Sequence, residues 1–147
     1  NGEILPITHP DMTRFMLTLD EAVDMVEIAF EKMIGGEIFV KKMPSMKVVD
    51  VAKTICDKQF EVVGIRPGEK MHEEMISIQD AMTTYDFGDY YVIAPSMLST
   101  SVTNEIVNGG TKVPPGFSYT SDNNPDWMKN VTLKNWIDNQ FSQDTLK

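Results

Sequence analysis

Two short segments of this sequence place charged side chains where the anions and hydroxyls of a ligand could be gripped. In Gly64-Ile65-Arg66-Pro67-Gly68-Glu69-Lys70 an arginine leaves the end of an expected strand and enters a turn that Pro67 and Gly68 make tight. Ligands of open α/β sheets sit beyond the carboxyl ends of strands, so a binding loop belongs here. Arg66 carries the planar fork that suits a diphosphate. Glu69, three residues on, can accept hydrogen bonds from the two hydroxyls of a ribose. The same residues also describe a type I or II turn with solvated charges. The second segment, Met12-Thr13-Arg14-Phe15, sets a lone arginine among apolar neighbours. Arg14 offers the same fork to phosphate, or is a surface arginine paired with Asp11.

Other chemistries lack their residues. The sequence has no Gly-x-Gly-x-x-Gly, no Walker loop and no Gly-x-Ser-x-Gly elbow. Tyr85, Tyr90, Tyr91 and Tyr119 are followed four positions later by Asp89, Ala94, Pro95 and Asn123, so no Tyr-x-x-x-Lys pair exists. No cofactor site is therefore expected in this chain. His9 and His72 are far apart, without cysteine or paired-histidine spacing, and no metal site is expected. The eleven methionines are spread through apolar positions and read as core filling. Asn130-Val131-Thr132 matches a glycosylation acceptor but reads as a helix start.

The elements that must position Arg14 and Arg66 are legible in part. Over residues 19–33, Leu19, Ala22, Val23, Val26, Ala29, Phe30 and Met33 recur at helical spacing, with Asp20, Glu21, Asp24, Glu27 and Glu31 elsewhere. Thr18-Leu19-Asp20-Glu21 is a capping box, and Gly35-Gly36 is the stop. Residues 37–40 read as a strand. Pro44-Ser45 is expected to open a second helix of about three turns, with Val48, Ala52, Ile55 and Cys56 on one face. Residues 60–65 return as a strand, giving the alternation of an α/β layer. The stretch 71–78 is open between strand and short helix, and 89–94 reads as a strand. Residues 99–124, rich in Ser, Thr, Asn, Gly and Pro, are expected to be mostly loop. A terminal helix over 132–141 carries Leu133, Trp136, Ile137 and Phe141. No repeat or dividing linker is visible, so residues 1–147 read as one region.

Composition bounds the function class. With 147 residues, 41% hydrophobic and 24% charged, the chain can bury a core without metal or disulfide, and Cys56 has no partner in it. A reducing, cytoplasmic setting is expected. No run of about 18 apolar residues exists and no signal peptide is seen, so no membrane association is expected. The net charge of −9 gives no general attraction to nucleic acid, and an anionic ligand would need a local basic cluster. Asn1 is followed by Gly2-Glu3-Ile4-Leu5-Pro6-Ile7, which reads as a turn feeding a strand, as though something precedes it.

Taken together, Leu5-Pro6-Ile7-Thr8-His9-Pro10-Asp11-Met12-Thr13-Arg14-Phe15, Gly36-Glu37-Ile38-Phe39-Val40, Gly64-Ile65-Arg66-Pro67-Gly68-Glu69-Lys70-Met71-His72-Glu73 and Tyr119-Thr120-Ser121-Asp122-Asn123-Asn124 carry a family resemblance. The chain resembles the inverting UDP-N-acetylglucosamine 4,6-dehydratases of bacterial surface-glycan and flagellin-sugar (pseudaminic acid) synthesis, extended short-chain dehydrogenase/reductases of the polysaccharide-biosynthesis type. The departure is Lys41, where the family pattern has proline before the lysine matching Lys42. The resemblance implies an α/β fold made of the last strand-helix units of a Rossmann-type sheet plus a small mixed substrate-binding region, with the NADP-binding half outside this chain. It implies that Arg14 and Arg66 approach the diphosphate of a UDP-sugar, that Glu69 approaches its ribose, and that Thr13 and Lys42 also belong to the substrate site. It further implies a lyase that oxidises C4, eliminates water across C5 and C6, and returns hydride to C6 with inversion at C5. Such a parent is expected to be a homo-oligomer, and this chain alone inactive. The alternatives are an epimerase or other dehydratase of the same superfamily, or a stand-alone binding domain complete in 147 residues.

Overall fold

The computed structural model describes residues 4–56, 59–97 and 99–144, with side chains through residue 139. The turn read at Asn1-Gly2-Glu3 and the side chain of Phe141 lie outside them. The fold is mixed α/β, and its described residues divide between two compact units. The first draws on Asn1–Met16, Pro44–Glu73 and Ser121–Lys147, the second on Leu17–Met43 and Glu74–Thr120. The sequence showed no such division because the units are interleaved along the chain rather than joined by a linker.

In the first unit, β1 (Leu5–Ile7) pairs in parallel with β5 (Phe60–Val62), and β2 (Thr13–Phe15) pairs antiparallel with β4 (Ser45–Lys47). A parallel pair needs a crossover, and the helix α2 (Val48–Ile55) supplies the last part of it, packing Val49 and Ala52 against Ile7. Pro44-Ser45 does not open that helix: Ser45 is strand, fully buried, and its N–H and C=O are bonded to Asp126 and Met128 of the tail. The buried face of α2 keeps Ala52 from the expected set but takes Val49 in place of Val48, and Ile55 is exposed. The terminal helix, α4 (Asn130–Asp144), starts at the residue that resembled a glycosylation acceptor. It brings Leu133, Trp136 and Ile137 onto Met46 and Met128.

In the second unit, a four-stranded antiparallel sheet is ordered β3 (Ile38–Lys41), β8 (Tyr90–Ile93), β7 (Thr84–Asp86), β9 (Thr111–Lys112). A short antiparallel pair, β6 (Glu74–Ile76) with β10 (Tyr119–Thr120), belongs to the same unit. Residues 99–124 lie mostly outside helix and strand, as expected, but they also contain α3 (Thr100–Ile106), whose Val102 and Ile106 cover Val92 and Ala94. The Tyr119 hydroxyl receives the Met43 N–H at 2.8 Å and donates to the Met43 carbonyl at 3.0 Å, tying the end of β3 to the motif at 119–124.

Helix α1 (Leu19–Lys32) forms with the expected capping box: Thr18 Oγ1 receives the Glu21 N–H, and the Glu21 carboxylate receives that of Thr18. Its orientation departs from expectation. The helix buries Met25, whereas Leu19, Val23, Val26 and Phe30, the stripe read as its core face, are 78%, 49%, 53% and 73% exposed. Every residue of β5 is exposed as well, although parallel strands are normally covered on both faces.

Beyond α1 the chain turns at Gly36, whose φ of 84° suits glycine, and Glu37 folds back so that its carboxylate accepts the N–H groups of Ile34 and Gly35. Burial, the largest influence, pushes the Glu37 carboxyl up, but the backbone N–H groups of Glu37, Ile34 and Gly35 together outweigh it and hold it below its ordinary value of 4.5. A carboxyl lowered on folding stabilises the fold above its unfolded pKa and loses that contribution as pH falls through the folded one. Melting curves of wild type and Glu37→Gln should therefore differ by a constant amount well above the carboxyl's ordinary value of 4.5, and the gap should close as the pH falls through and below that value. A gap that stays constant down to pH 3 would remove the carboxylate from the explanation.

Candidate functional site

The candidate site is built on β2 and on the turn that follows β5. In that turn Pro67 and Gly68 occupy the two central positions, with Gly68 at φ 81°, which makes it type II. The Glu69 N–H donates to the Arg66 carbonyl at 3.0 Å, and the Arg66 N–H donates to Glu69 Oε2 at 3.2 Å. Glu69 thus locks the turn with one oxygen. Its other oxygen lies 3.4 Å from Thr8 Oγ1 and 3.8 Å from Arg14 Nη2.

Arg14 lies in the middle of β2, opposite Met46 of β4. Its Nη1 donates to the carbonyls of Thr13 at 2.7 Å and Met71 at 3.3 Å, which fixes the plane of the guanidinium. Nη2 contacts Met12 Sδ at 3.1 Å. The Nε and Nη2 edge faces Glu73 at 4.0 Å and Glu69 at 3.8 Å, distances of ion pairing rather than hydrogen bonding. Asp11, the alternative partner read from sequence, pairs with Lys47 instead. Arg66 is exposed, and among the described residues its guanidinium has no ion pair or hydrogen bond.

Thr13 is 2% exposed, so its side chain stands behind this surface rather than on it. Its hydroxyl is 2.6 Å from Ser121 Oγ and 2.8 Å from His72 Nδ1. Ser121 Oγ also accepts the Glu73 N–H at 2.9 Å, and His72 Nε2 lies 4.0 Å from Asp122. The structure therefore gathers Thr13, Arg14, Arg66 and Glu69 on one unit. It does not gather Lys42 with them: Lys42 belongs to the other unit, where its ammonium is 2.7 Å from Asp86 and 4.5 Å from the centre of the Tyr91 ring. Burial and then the Asp86 charge push the Tyr91 hydroxyl above its usual range. His72, Glu73 and Ser121 were given no role from sequence, and their signal was only their presence within the motifs.

Glu73 shows how the network holds the strand. Its Oε2 accepts the Phe15 N–H at 2.7 Å while Oε1 faces Arg14. Glu73→Gln keeps an acceptor for that N–H, and Glu73→Ala removes it. In urea titrations the alanine variant should be less stable than the glutamine variant by about 1 kcal/mol, and equal stabilities would show the bond to be idle.

The family model described as polysaccharide biosynthesis protein matches residues 1–95. A UDP-N-acetylglucosamine 4,6-dehydratase (inverting) of Campylobacter jejuni is 46% identical over 135 residues, covering 88% of this chain and 40% of the relative. A UDP-glucose 4-epimerase of Rickettsia canadensis is 36% identical over 127 residues, covering 83% of this chain and 37% of the relative. Among solved structures, the X-ray structure of Pen from Bacillus thuringiensis matches with a TM-score of 0.76 and 26% identity, over 92% of this chain and 41% of that one. The chain spans about two fifths of the length of these relatives. With nearly two thirds of its residues under the family model and its relatives matched over most of its length, this chain belongs to the polysaccharide biosynthesis protein family.

Proposed function

We propose that this chain is the UDP-sugar-binding, C-terminal part of a UDP-N-acetylglucosamine 4,6-dehydratase that inverts C5, serving bacterial surface-glycan or flagellin-sugar synthesis in the cytoplasm. The observation that carries the proposal is the convergence of segments 5–15, 64–73 and 119–124, far apart in sequence, on one polar network that presents Arg14, Arg66 and Glu69. The higher identity to the Campylobacter dehydratase than to the Rickettsia epimerase supports dehydration over epimerisation.

In this reading Arg66 supplies the charge-assisted contact to the diphosphate, since its guanidinium is exposed and uncommitted. Arg14 presents its Nε and Nη2 edge to the same phosphates, and Glu69, oriented by Arg14 and by the turn, accepts from the ribose hydroxyls. Thr13 serves from behind. All of these groups bind and orient.

The residues of this chain do not fit the NADP that the reaction requires. A dinucleotide pyrophosphate is held by a strand, a glycine-rich turn and a helix N-terminus. Here α1 follows Met16-Leu17-Thr18, α2 follows β4 directly, and α3 and α4 follow Ser99 and Lys129, none of them a glycine turn. The cofactor and the proton-transfer groups are assigned to the portion of the relatives that this chain does not span. The parallel pair β1–β5, bare on its outer strand, is then the last part of that portion's Rossmann-type sheet.

The full-length protein incubated with UDP-N-acetylglucosamine should form a 4-keto-6-deoxy product with inverted C5, detected by mass loss of one water and by NMR. A C4 epimer of unchanged mass would replace the dehydratase with the epimerase. Within that protein, Arg66→Ala should raise the Michaelis constant at least about tenfold with little change in kcat, because a contact remote from C4–C6 is made in ground and transition states alike. Arg66→Lys should recover little of it, since the ammonium keeps the charge and loses the fork. An unchanged Michaelis constant and unchanged inhibition by UDP in folded Arg66→Ala would return the segment to an ordinary turn.

A further inference from the structure

The contact between Thr13 and Ser121 joins strand β2 to the tail motif 108 residues away, at a point with no access to solvent. Ser121 is 0% exposed and Thr13 2% exposed, so every hydrogen of the pair must find an acceptor inside the protein. Ser121 Oγ already accepts the Glu73 N–H, and His72 Nδ1 stands 2.8 Å beyond Thr13 Oγ1. One arrangement uses every donor: Glu73 N–H to Ser121 Oγ, Ser121 O–H to Thr13 Oγ1, Thr13 O–H to His72 Nδ1. The reverse direction leaves the Ser121 hydrogen without an acceptor, because the bonds of Ser121 Oγ are those to Thr13 and to the Glu73 N–H. His72 then carries its proton on Nε2, the nitrogen facing Asp122 at 4.0 Å.

This directed chain ends on both sides at groups that set the candidate site. The Thr13 N–H is bonded to the Met71 carbonyl at 3.1 Å, and that carbonyl also receives Arg14 Nη1. Glu73, held by Ser121 through its own N–H and by its carbonyl to the Ser121 N–H at 2.8 Å, places its carboxylate on the Phe15 N–H and toward Arg14. Removing the chain loosens segment 71–73 against β2, leaving the Thr13–Met71 and Phe15–Glu73 bonds alone to place the carbonyl and carboxylate that orient the guanidinium.

We propose that Ser121 and His72, acting through Thr13, are positioning residues of the UDP site: they hold Arg14, and through it Glu69, in the geometry that receives the nucleotide. The proposal rests on the UDP-site reading given above. It assigns a binding consequence to the tail motif Tyr119-Thr120-Ser121-Asp122, whose side chains need not touch the ligand.

The test uses the full-length protein, with UDP as the probe, steady-state kinetics alongside, and thermal melting to confirm folding. Ser121→Ala should weaken UDP binding and raise the Michaelis constant by about three- to tenfold while kcat at saturation changes less than about twofold. His72→Leu, which removes the acceptor for Thr13 from a half-exposed position, should do the same. His72→Asn, whose side-chain oxygen can stand near the place of Nδ1, should recover most of the His72→Leu loss. The double variant Arg14→Ala, Ser121→Ala should bind UDP no more weakly than Arg14→Ala alone, because the group being positioned is gone. Additive losses in the double variant, or a lowered melting temperature with unchanged UDP affinity in both Ser121→Ala and His72→Leu, would overturn the proposal. Arg66→Ala separates the two readings: if it too leaves UDP binding unchanged, the UDP site itself is wrong, whereas if it weakens binding and the others do not, only the positioning role falls.

Discussion

The hydroxyl of Thr13 is the point at which three distant stretches of chain are bonded to one another. It takes part in contacts of 2.6 Å to Ser121 and 2.8 Å to His72 from a site closed to water. A buried hydroxyl without partners is costly, so the contact constrains where β2, the segment after the Pro67-Gly68 turn and the tail can lie. The exposed charges of the candidate site sit on this frame. Glu69 adds a second constraint by closing its own turn through the Arg66 N–H, so that one carboxylate both shapes the loop and presents an oxygen beside Arg14.

What was legible in the sequence follows from whether its cause is local. The start of α1 depends on Thr18 and Glu21 reaching each other's backbone within one turn, and it forms where the capping box predicts. The turn at Pro67-Gly68 is local in the same way. Ser45 illustrates the opposite case. Next to Pro44 it resembles a helix start, but its backbone is claimed by Asp126 and Met128 and its strand by β2, partners invisible from its neighbours in sequence. Likewise α3 hides in a Ser- and Thr-rich stretch with weak helical preference, because its stability comes from Val102 and Ile106 packing on Val92 and Ala94. Arg14 and Glu69 were picked out by residue type, while the buried groups that orient them were not, since a serine or threonine in a motif gives no sign of what it will meet.

The apolar stripe of α1 shows that periodicity gives a helix its faces but not its direction. Leu19, Val23, Val26 and Phe30 form the stripe, yet the residue of the helix that is buried is Met25. Four large apolar side chains in one exposed row, together with the exposed Phe60, Val62, Val63 and Ile65 around β5, are more apolar surface than scattered exposure accounts for.

Charge explains why the candidate site needs such exact support. At a net −9 the chain repels an anionic ligand at long range, so affinity for a diphosphate has to come from directed contacts at short range. Arg14 is already faced by Glu69 and Glu73 at 3.8 and 4.0 Å, and its field is largely cancelled at a distance. What remains to it is geometry: a guanidinium whose plane is pinned by two carbonyls, offering donors along one edge. Arg66 differs, being exposed and without an ion pair among the described residues, and in the proposed function it would supply the attraction that Arg14 cannot. On that proposal the two arginines divide the task between charge and orientation. The orienting one is useful only while the buried chain behind Thr13 keeps the carbonyl of Met71 and the carboxylate of Glu73 where they are.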